Sequence, residues 1–331
     1  MRPFQLAFRL SLLCVPLISA GCTTSTTPRS ASSGAGGGAA KKGTVGVSIL
    51  TTVNPFFNVI GDNIKSELAK AGYDTVVVSG EEDIARQQQQ VRDFVVAKHM
   101  AIVLCPCDSK AIGAVIREAN TAGVPVFTAD LACLAEGAKV VSHIATDNLD
   151  GGRQAGQAMI EALGEAGGRV VILDYKSAES CLLRVRGFHE VIDKYNAGRS
   201  GGKIEIVAEL PGEGKTDVGD KATQDALQAH PDLAGIFAIN DPSAAGAVAA
   251  LARAGKSDQV KLIGFDGQKE GKELIKSGKI YADPIQYPER IGQMTARSIL
   301  AYLAGEEVPK QQLIPTGLYR QADALKDPEL K

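Results

Sequence analysis

Short carboxylate and amide side chains recur in this chain at one kind of place, just after an apolar, strand-like run. Asn54 follows 44–50, Asp130 follows Phe127-Thr128-Ala129, Asn240 and Asp241 follow 235–239, Asp266 follows 260–265 and Gln286 follows 280–285. Carboxylates only accept hydrogen bonds, whereas amides accept and donate, so a cluster of both can grip adjacent hydroxyls of a polyol. Arg184 would add a planar fork of donors, and Phe56, Phe57 and Phe265 would supply flat apolar walls for the C–H faces of a ring. Any one such residue is ordinarily an N-cap for the helix that follows. For Asp241, before Pro242-Ser243, capping is at least as well supported as ligand contact. Five strand ends of the same character point to one shared polar cleft.

The elements needed to bring these residues together are legible in the hydrophobic spacing. Strands are expected over 44–50, 75–78, 101–104, 126–128, 140–145, 169–173, 204–210, 235–239, 260–265, 280–285 and 312–314. Helices are expected over 55–71, 84–98, 109–121, 152–163, 181–195, 217–229, 243–254, 270–277 and 291–304, with Gln87 to Gln90 on a solvated face. Strands alternating with helices imply α/β lobes whose parallel sheets carry helices on both faces. Uninterrupted apolar strands such as Val170-Val171-Ile172-Leu173 agree with burial on both sides. Two such series make two lobes of Rossmann-like, doubly wound type, and ligands in these sheets lie beyond the carboxyl ends of the strands.

Composition narrows the function. The 331 residues carry 44% hydrophobic and 22% charged side chains with a net charge of −2, which fits a globular protein of two ordinary domains. Lys and Arg are scattered, so there is neither a nucleic-acid footprint nor a polybasic membrane patch. Residues 1–22 read as an export signal: Arg2 and Arg9, an apolar run from Leu10 to Ile18, then Ser19-Ala20-Gly21-Cys22. The small residues before Cys22 resemble a bacterial lipobox, with Ser19 where that motif prefers Leu, and make Cys22 the expected lipidation site. Residues 23–43, rich in Ser, Thr, Gly and Ala, read as a flexible tether.

Catalysis finds little support. His99, His143, His189 and His230 have no metal-ligand or triad-like neighbourhood and read as surface or helix-end residues. Gly212-Glu213-Gly214-Lys215-Thr216 lacks the upstream glycine of a phosphate loop, since Glu209 stands there. Cys105, Cys107, Cys133 and Cys181 read as small buried hydrophobes, with a Cys133–Cys181 bridge open but unsupported. No catalytic residue, metal or cofactor is expected.

Several stretches resemble a known family. Asn54-Pro55-Phe56-Phe57, the run 141–148 (Val-Ser-His-Ile-Ala-Thr-Asp-Asn), Ala229-His230-Pro231-Asp232, the run 254–258 (Ala-Gly-Lys-Ser-Asp) and 260–267 resemble bacterial sugar-binding proteins of ABC transporters, most closely the ribose-binding type. The resemblance spans residues 44–321 and implies a type I periplasmic binding protein with three hinge crossovers, near Thr146–Asp147, Gln286–Tyr287 and Pro315–Thr316. It places 44–146 plus 287–315 in an N-terminal lobe and 147–286 plus 316–331 in a C-terminal lobe. It also implies sugar contacts at Asn54, Phe56, Phe57, Asp130, Arg184, Asn240, Phe265, Asp266 and Gln286, with Phe57 and Phe265 sandwiching the ring. The implied partners are a monosaccharide or related polyol, an ABC permease, and the membrane through the lipid anchor, with the receptor acting as a monomer. The alternative within the same fold is a sugar-sensing co-receptor for chemotaxis or a sensor kinase. Two positions depart from the ribose pattern. Leu131 replaces an arginine, and Gly214 falls where that family has a further aromatic wall. Both argue against ribose and leave another pentose, a hexose, a deoxy sugar or a cyclic polyol.

Overall fold

A computed structural model describes residues 42–331. The export signal at 1–22, Cys22 and the tether up to residue 41 lie outside the described residues. The tether's last part is already docked, since the Lys42 N–H donates to the Gly72 carbonyl at 3.0 Å.

In chain order the first series is β1 (Thr44–Ile49), α1 (Pro55–Lys70), β2 (Asp74–Ser79), α2 (Ile84–Val96), β3 (Ala101–Leu104), α3 (Gly113–Thr121), β4 (Val126–Ala129) and β5 (His143–Thr146). The second is α4 (Asn148–Leu163), β6 (Gly168–Asp174), α5 (Glu179–Asn196), β7 (Ile204–Pro211), α6 (Thr216–Ala229), β8 (Leu233–Ala238), α7 (Asp241–Arg253), β9 (Lys261–Ile263), α8 (Lys269–Lys276) and β10 (Ala282–Ile285). The chain closes with α9 (Pro288–Leu303), β11 (Gln311–Ile314), β12 (Gly317–Arg320) and the short α10 (Gln321–Ala324).

These strands build two six-stranded sheets, ordered β11-β5-β4-β3-β1-β2 and β12-β10-β9-β8-β6-β7. All pairings are parallel except β10 with β12. The antiparallel β12 and the short α10 were not foreseen, because four residues of mixed character carry too little period to read. In each sheet the chain reverses direction of growth next to its first strand, between β1 and β3 and between β6 and β8. A crevice opens at such switch points.

Local chemistry explains the elements that border the crevice. Asn54 caps α1 by accepting the Phe56 N–H at 3.0 Å, Pro55 occupies the first turn, and Phe56, Phe57, Ile60, Ile64 and Leu68 form the buried stripe. Gly72, with φ +85°, ends the helix, while the Tyr73 N–H returns to the Leu68 carbonyl. Helices α4 and α5 pack closely because position 152 has no side chain. A Cβ there would stand 2.1 Å from the Arg184 carbonyl oxygen.

Two expectations are corrected. Gln87 is not solvated: it is fully buried, donates to the Cys105 carbonyl at 2.9 Å and accepts the Cys107 N–H at 2.7 Å. It satisfies backbone groups that the end of β3 would otherwise bury unpaired. His143 is neither on the surface nor at a helix end; it sits buried in β5, 2.9 Å from the Thr128 hydroxyl, and burial pushes its pKa down to about 4. The four cysteines are free thiols, three of them buried and Cys133 half-buried.

Candidate functional site

The five polar strand ends meet. A cleft with about 500 Å³ not filled by protein atoms, open mouth included, is lined by Asn54, Phe56, Phe57, Asp130, Arg184, Asn240, Asp266 and Gln286 together with Leu131, Tyr175, Cys181 and Gly214. Eight of the nine residues singled out in the sequence therefore reach one place.

The ninth, Phe265, is not on that surface. Its ring is fully buried, the Arg184 guanidinium carbon lies 3.8 Å from its centroid, and a Cβ at Gly151 would stand 2.5 Å from its Cζ. Phe265 is thus a platform beneath Arg184. The aromatic surface from the other side is Phe56 and Phe57, whose rings meet edge-on at 5.3 Å.

Arg184 organises the second half of the site. It is almost fully buried on α5. Its Nε donates to Asn148 Oδ1 at 2.8 Å, and its Nη1 donates to the Ile239 carbonyl at 2.7 Å and to Asp266 Oδ1 at 3.0 Å. Its Nη2 has no partner among the described residues. Asp266 also accepts from Gln286 Nε2 at 2.6 Å and from Gln268 Nε2 at 3.3 Å. Gln286 in turn accepts the Thr146 hydroxyl at 2.7 Å. Thr146 ends β5 and Gln286 follows β10, where the chain passes between the sheets, so the site is wired directly to two of the crossings.

Asp130 is different in kind. It follows β4 with φ +65° and is buried, and its Oδ1 has no partner. Burial pushes its pKa up to about 7, against the pull of Arg184. A buried polar atom with no partner is costly to keep, and a ligand hydroxyl is one way to satisfy it. Near Asp266 a second pair of carboxyl groups, Asp241 and Asp283, is buried; Asp241 Oδ2 accepts the Gln268 N–H at 2.6 Å, while Asp241 Oδ1 and both Asp283 oxygens have no partner among the described residues. Burying carboxyl groups close to other carboxylates disfavours their ionised forms. Burial accordingly raises both, Asp283 to about 7. Asn240, rather than Asp241, caps α7, through its Oδ1 and the Ser243 N–H at 3.1 Å. Asp130, Asp266 and Gln286 cap nothing.

The two halves also touch across the cleft. The Ser109 N–H donates to the Ser177 carbonyl at 3.1 Å, the Glu179 N–H donates to the Ser109 hydroxyl at 3.1 Å, and Lys215 pairs with Glu82. Gly212 to Thr216, which resembled a phosphate loop in composition, is a turn at the cleft. The Gly212 and Glu213 N–H groups donate to the Asp174 carbonyl, so neither is free for a phosphate. Tyr175 and Cys181 were missed in the sequence, although Tyr175 has the signal that found the others, being the residue that follows a strand.

The pattern of a periodic, two-lobed α/β chain with a polar cleft matches known proteins. The model of the periplasmic binding protein domain matches residues 45–307. The ribose import binding protein of Escherichia coli (strain K12) is 33% identical over 267 residues, covering 81% of this chain and 87% of that protein. The D-apiose import binding protein of Paraburkholderia graminis is 30% identical over 273 residues, covering 82% and 85%. Among solved structures, an ABC transporter solute-binding protein from Agrobacterium vitis with bound D-fucose superposes with a TM-score of 0.78 at 28% identity, covering 87% of this chain and 98% of that one.

Proposed function

The chain belongs to the periplasmic binding protein domain family, and we propose that it is the extracytoplasmic receptor of an ABC importer for a monosaccharide-like ligand. The observation that carries this reading is the unspent hydrogen-bonding capacity of the cleft: a partnerless Asp130 oxygen, the Arg184 Nη2 and the Asn54 amide beside two phenylalanine rings. Asp130 and Asp266 face a single guanidinium. Such a site suits neutral hydroxyl donors and repels phosphates and carboxylates. The ligand contacts are Asn54, Phe56, Phe57, Asp130, Arg184, Asn240, Asp266 and Gln286, with Phe265 holding Arg184 in place. The two lobes are 44–146 with 287–315, and 147–286 with 316–331.

No bond is made or broken in this scheme. A sugar that touches both lobes stabilises the closed form by its differential affinity for that form, and the closed form is what the permease recognises. The relatives named for ribose and D-apiose import support the transport role. Leu131, which offers no donor beside Asp130, favours a ligand other than ribose. A thermal-shift screen of D-ribose, D-arabinose, D-allose, D-fucose and myo-inositol tests the reading. At a concentration of 100 times Kd a sugar adds about 2.7 kcal/mol to the folded state. A flat response to all five would count against a monosaccharide receptor.

The receptor is exported, and residues 1–22 are its signal. Cys22 carries a lipid, with residues 23–43 as the tether, and the protein works as a monomer. Among the described residues no helix is long and apolar enough to cross a membrane, so attachment in this scheme rests on Cys22. Cys22→Ala is expected to move the protein from the membrane fraction to the soluble fraction. Retention in the membrane fraction would remove the anchor.

A further inference from the structure

A sugar ring held against Phe56 and Phe57 needs a surface on its other side, and Phe265 is not that surface. Arg184 covers one of its faces, its Cζ end packs close to Gly151, and the ring is fully buried. Among the described residues that line the inner cleft, the aromatic ones are Phe56, Phe57 and Tyr175. Tyr175 comes from the other sheet. It follows β6, one of the two strands that flank the switch point there, where a doubly wound sheet opens to a ligand.

The loop that carries Tyr175 is fixed in place. Its N–H donates to Asp174 Oδ1 at 2.6 Å. Two residues on, the Ser177 carbonyl accepts the Ser109 N–H from across the cleft. Next to the ring lies Gly214, with φ +66°. A Cβ there would come to 3.7 Å from Tyr175 Cδ1 and 3.2 Å from Asn240 Nδ2. A large side chain at 214 would therefore compete with Tyr175 for one space. The tyrosine is half-buried, and its hydroxyl makes no hydrogen bond among the described residues. Burial raises its pKa, so it stays a neutral phenol able both to donate and to accept.

From this we infer that Tyr175 is the second aromatic wall of the sugar site and a determinant of which sugar is held, its ring facing the Phe56–Phe57 side and its hydroxyl meeting a ligand hydroxyl. The inference rests on the monosaccharide reading and deepens it. The bulk that limits the ligand on this side comes from the β6 strand end instead of the Gly214 turn. A wall that carries a hydroxyl also distinguishes sugars that place a polar group there from those that place a methyl or a hydrogen.

Calorimetric titration of the full chain, Tyr175→Ala and Tyr175→Phe with D-ribose, D-arabinose, D-allose, D-fucose and myo-inositol tests it. Tyr175→Ala is expected to weaken the tightest of these probes by roughly 10- to 100-fold. Tyr175→Phe should fall between the two and change the order of preference among the five. The chain has seven Tyr and no Trp, so tyrosine emission is readable. A probe-induced change in that emission should shrink in Tyr175→Phe, which a merely structural role would not produce. Melting temperatures without sugar show whether each variant folds, and the phenylalanine variant keeps the test open if the alanine variant does not. Native affinity and order of preference in Tyr175→Ala would overturn the inference while leaving the sugar reading intact. Equal losses in both variants would overturn the wall. If the native chain binds none of the five, the monosaccharide reading fails and this inference fails with it.

Discussion

Asp266→Ala is expected to abolish sugar-induced thermal stabilisation and to lower the melting temperature of the empty protein. Both effects follow from one geometry. Asp266 accepts from Arg184, Gln286 and Gln268, and the Arg184 and Asp266 side chains are 3% and 4% exposed. Removing one partner of a buried ion pair leaves the other charge uncompensated, which costs about 3–5 kcal/mol. Hydrogen bonds to a charged acceptor contribute about 1.5–3 kcal/mol each, so losing the acceptor for ligand hydroxyls should weaken sugar binding by about 100-fold or more. Asp266→Asn keeps the shape and one acceptor oxygen. It should lose less stability than the alanine variant while still losing most of the affinity. Calorimetry on both variants, with melting curves in the presence and absence of sugar, checks the pair of effects. An undiminished sugar-dependent shift in either variant would take Asp266 out of the site.

Asp283→Asn is expected to do the opposite and stabilise the protein at neutral pH. The folded pKa of Asp283, about 7, lies above the ordinary value of about 3.9. Between those two values the folded state holds a proton that the unfolded state has released. Stability therefore falls as pH rises through that window, is unpenalised below about 4 and is lowest above about 7. A pKa gap of about 3 corresponds to a full penalty of about 4 kcal/mol. Asparagine never ionises, so it carries no such penalty. The variant should melt about 5 °C higher at pH 8, lose most of the decline between pH 5 and 8, and match the native chain near pH 4. Equal melting temperatures at pH 8 would mean that burial does not raise the Asp283 pKa in the folded state. Asp266 repels charge on both Asp241 and Asp283, so the same titration adds negative charge near the ligand-facing carboxylate as pH rises.

Both predictions concern residues whose importance was unequally visible. Asp266 stood out because it follows a strand and because a strand end in an α/β sheet faces the crevice. Asp283 did not stand out. It lies within β10 beside Pro284, where the pattern gives no reason for a buried carboxylate, and its meaning comes from Asp241, which lies 42 positions earlier in the chain. Gln87 shows the same limit. Its helical position read as solvated, yet it fills the backbone hydrogen bonds of a strand end that local sequence says nothing about. Phe265 shows the converse: as an aromatic residue next to Asp266 it looked like a ring wall, and packing against Gly151 and Arg184 turned it into a support.

Taken by itself, the sequence determined whatever depends on local period and on strand-end position. That covers the alternation of strands and helices, the capped α1 with its two phenylalanines, and the set of polar strand ends that meet in the cleft. These follow from side-chain spacing and backbone chemistry within a few residues, so they can be read along the chain. Tertiary structure alone decided what depends on which distant residues become neighbours. It decided that Arg184 spends two nitrogens on Asn148, Ile239 and Asp266 and keeps a third free. It also decided that Asp130 is left without a partner, that Asp241 and Asp283 are both buried, and that Tyr175 takes the place beside Gly214. Burial and pairing set the charge and the free valences of a polar group, and both are fixed only once the two sheets have brought their strand ends together.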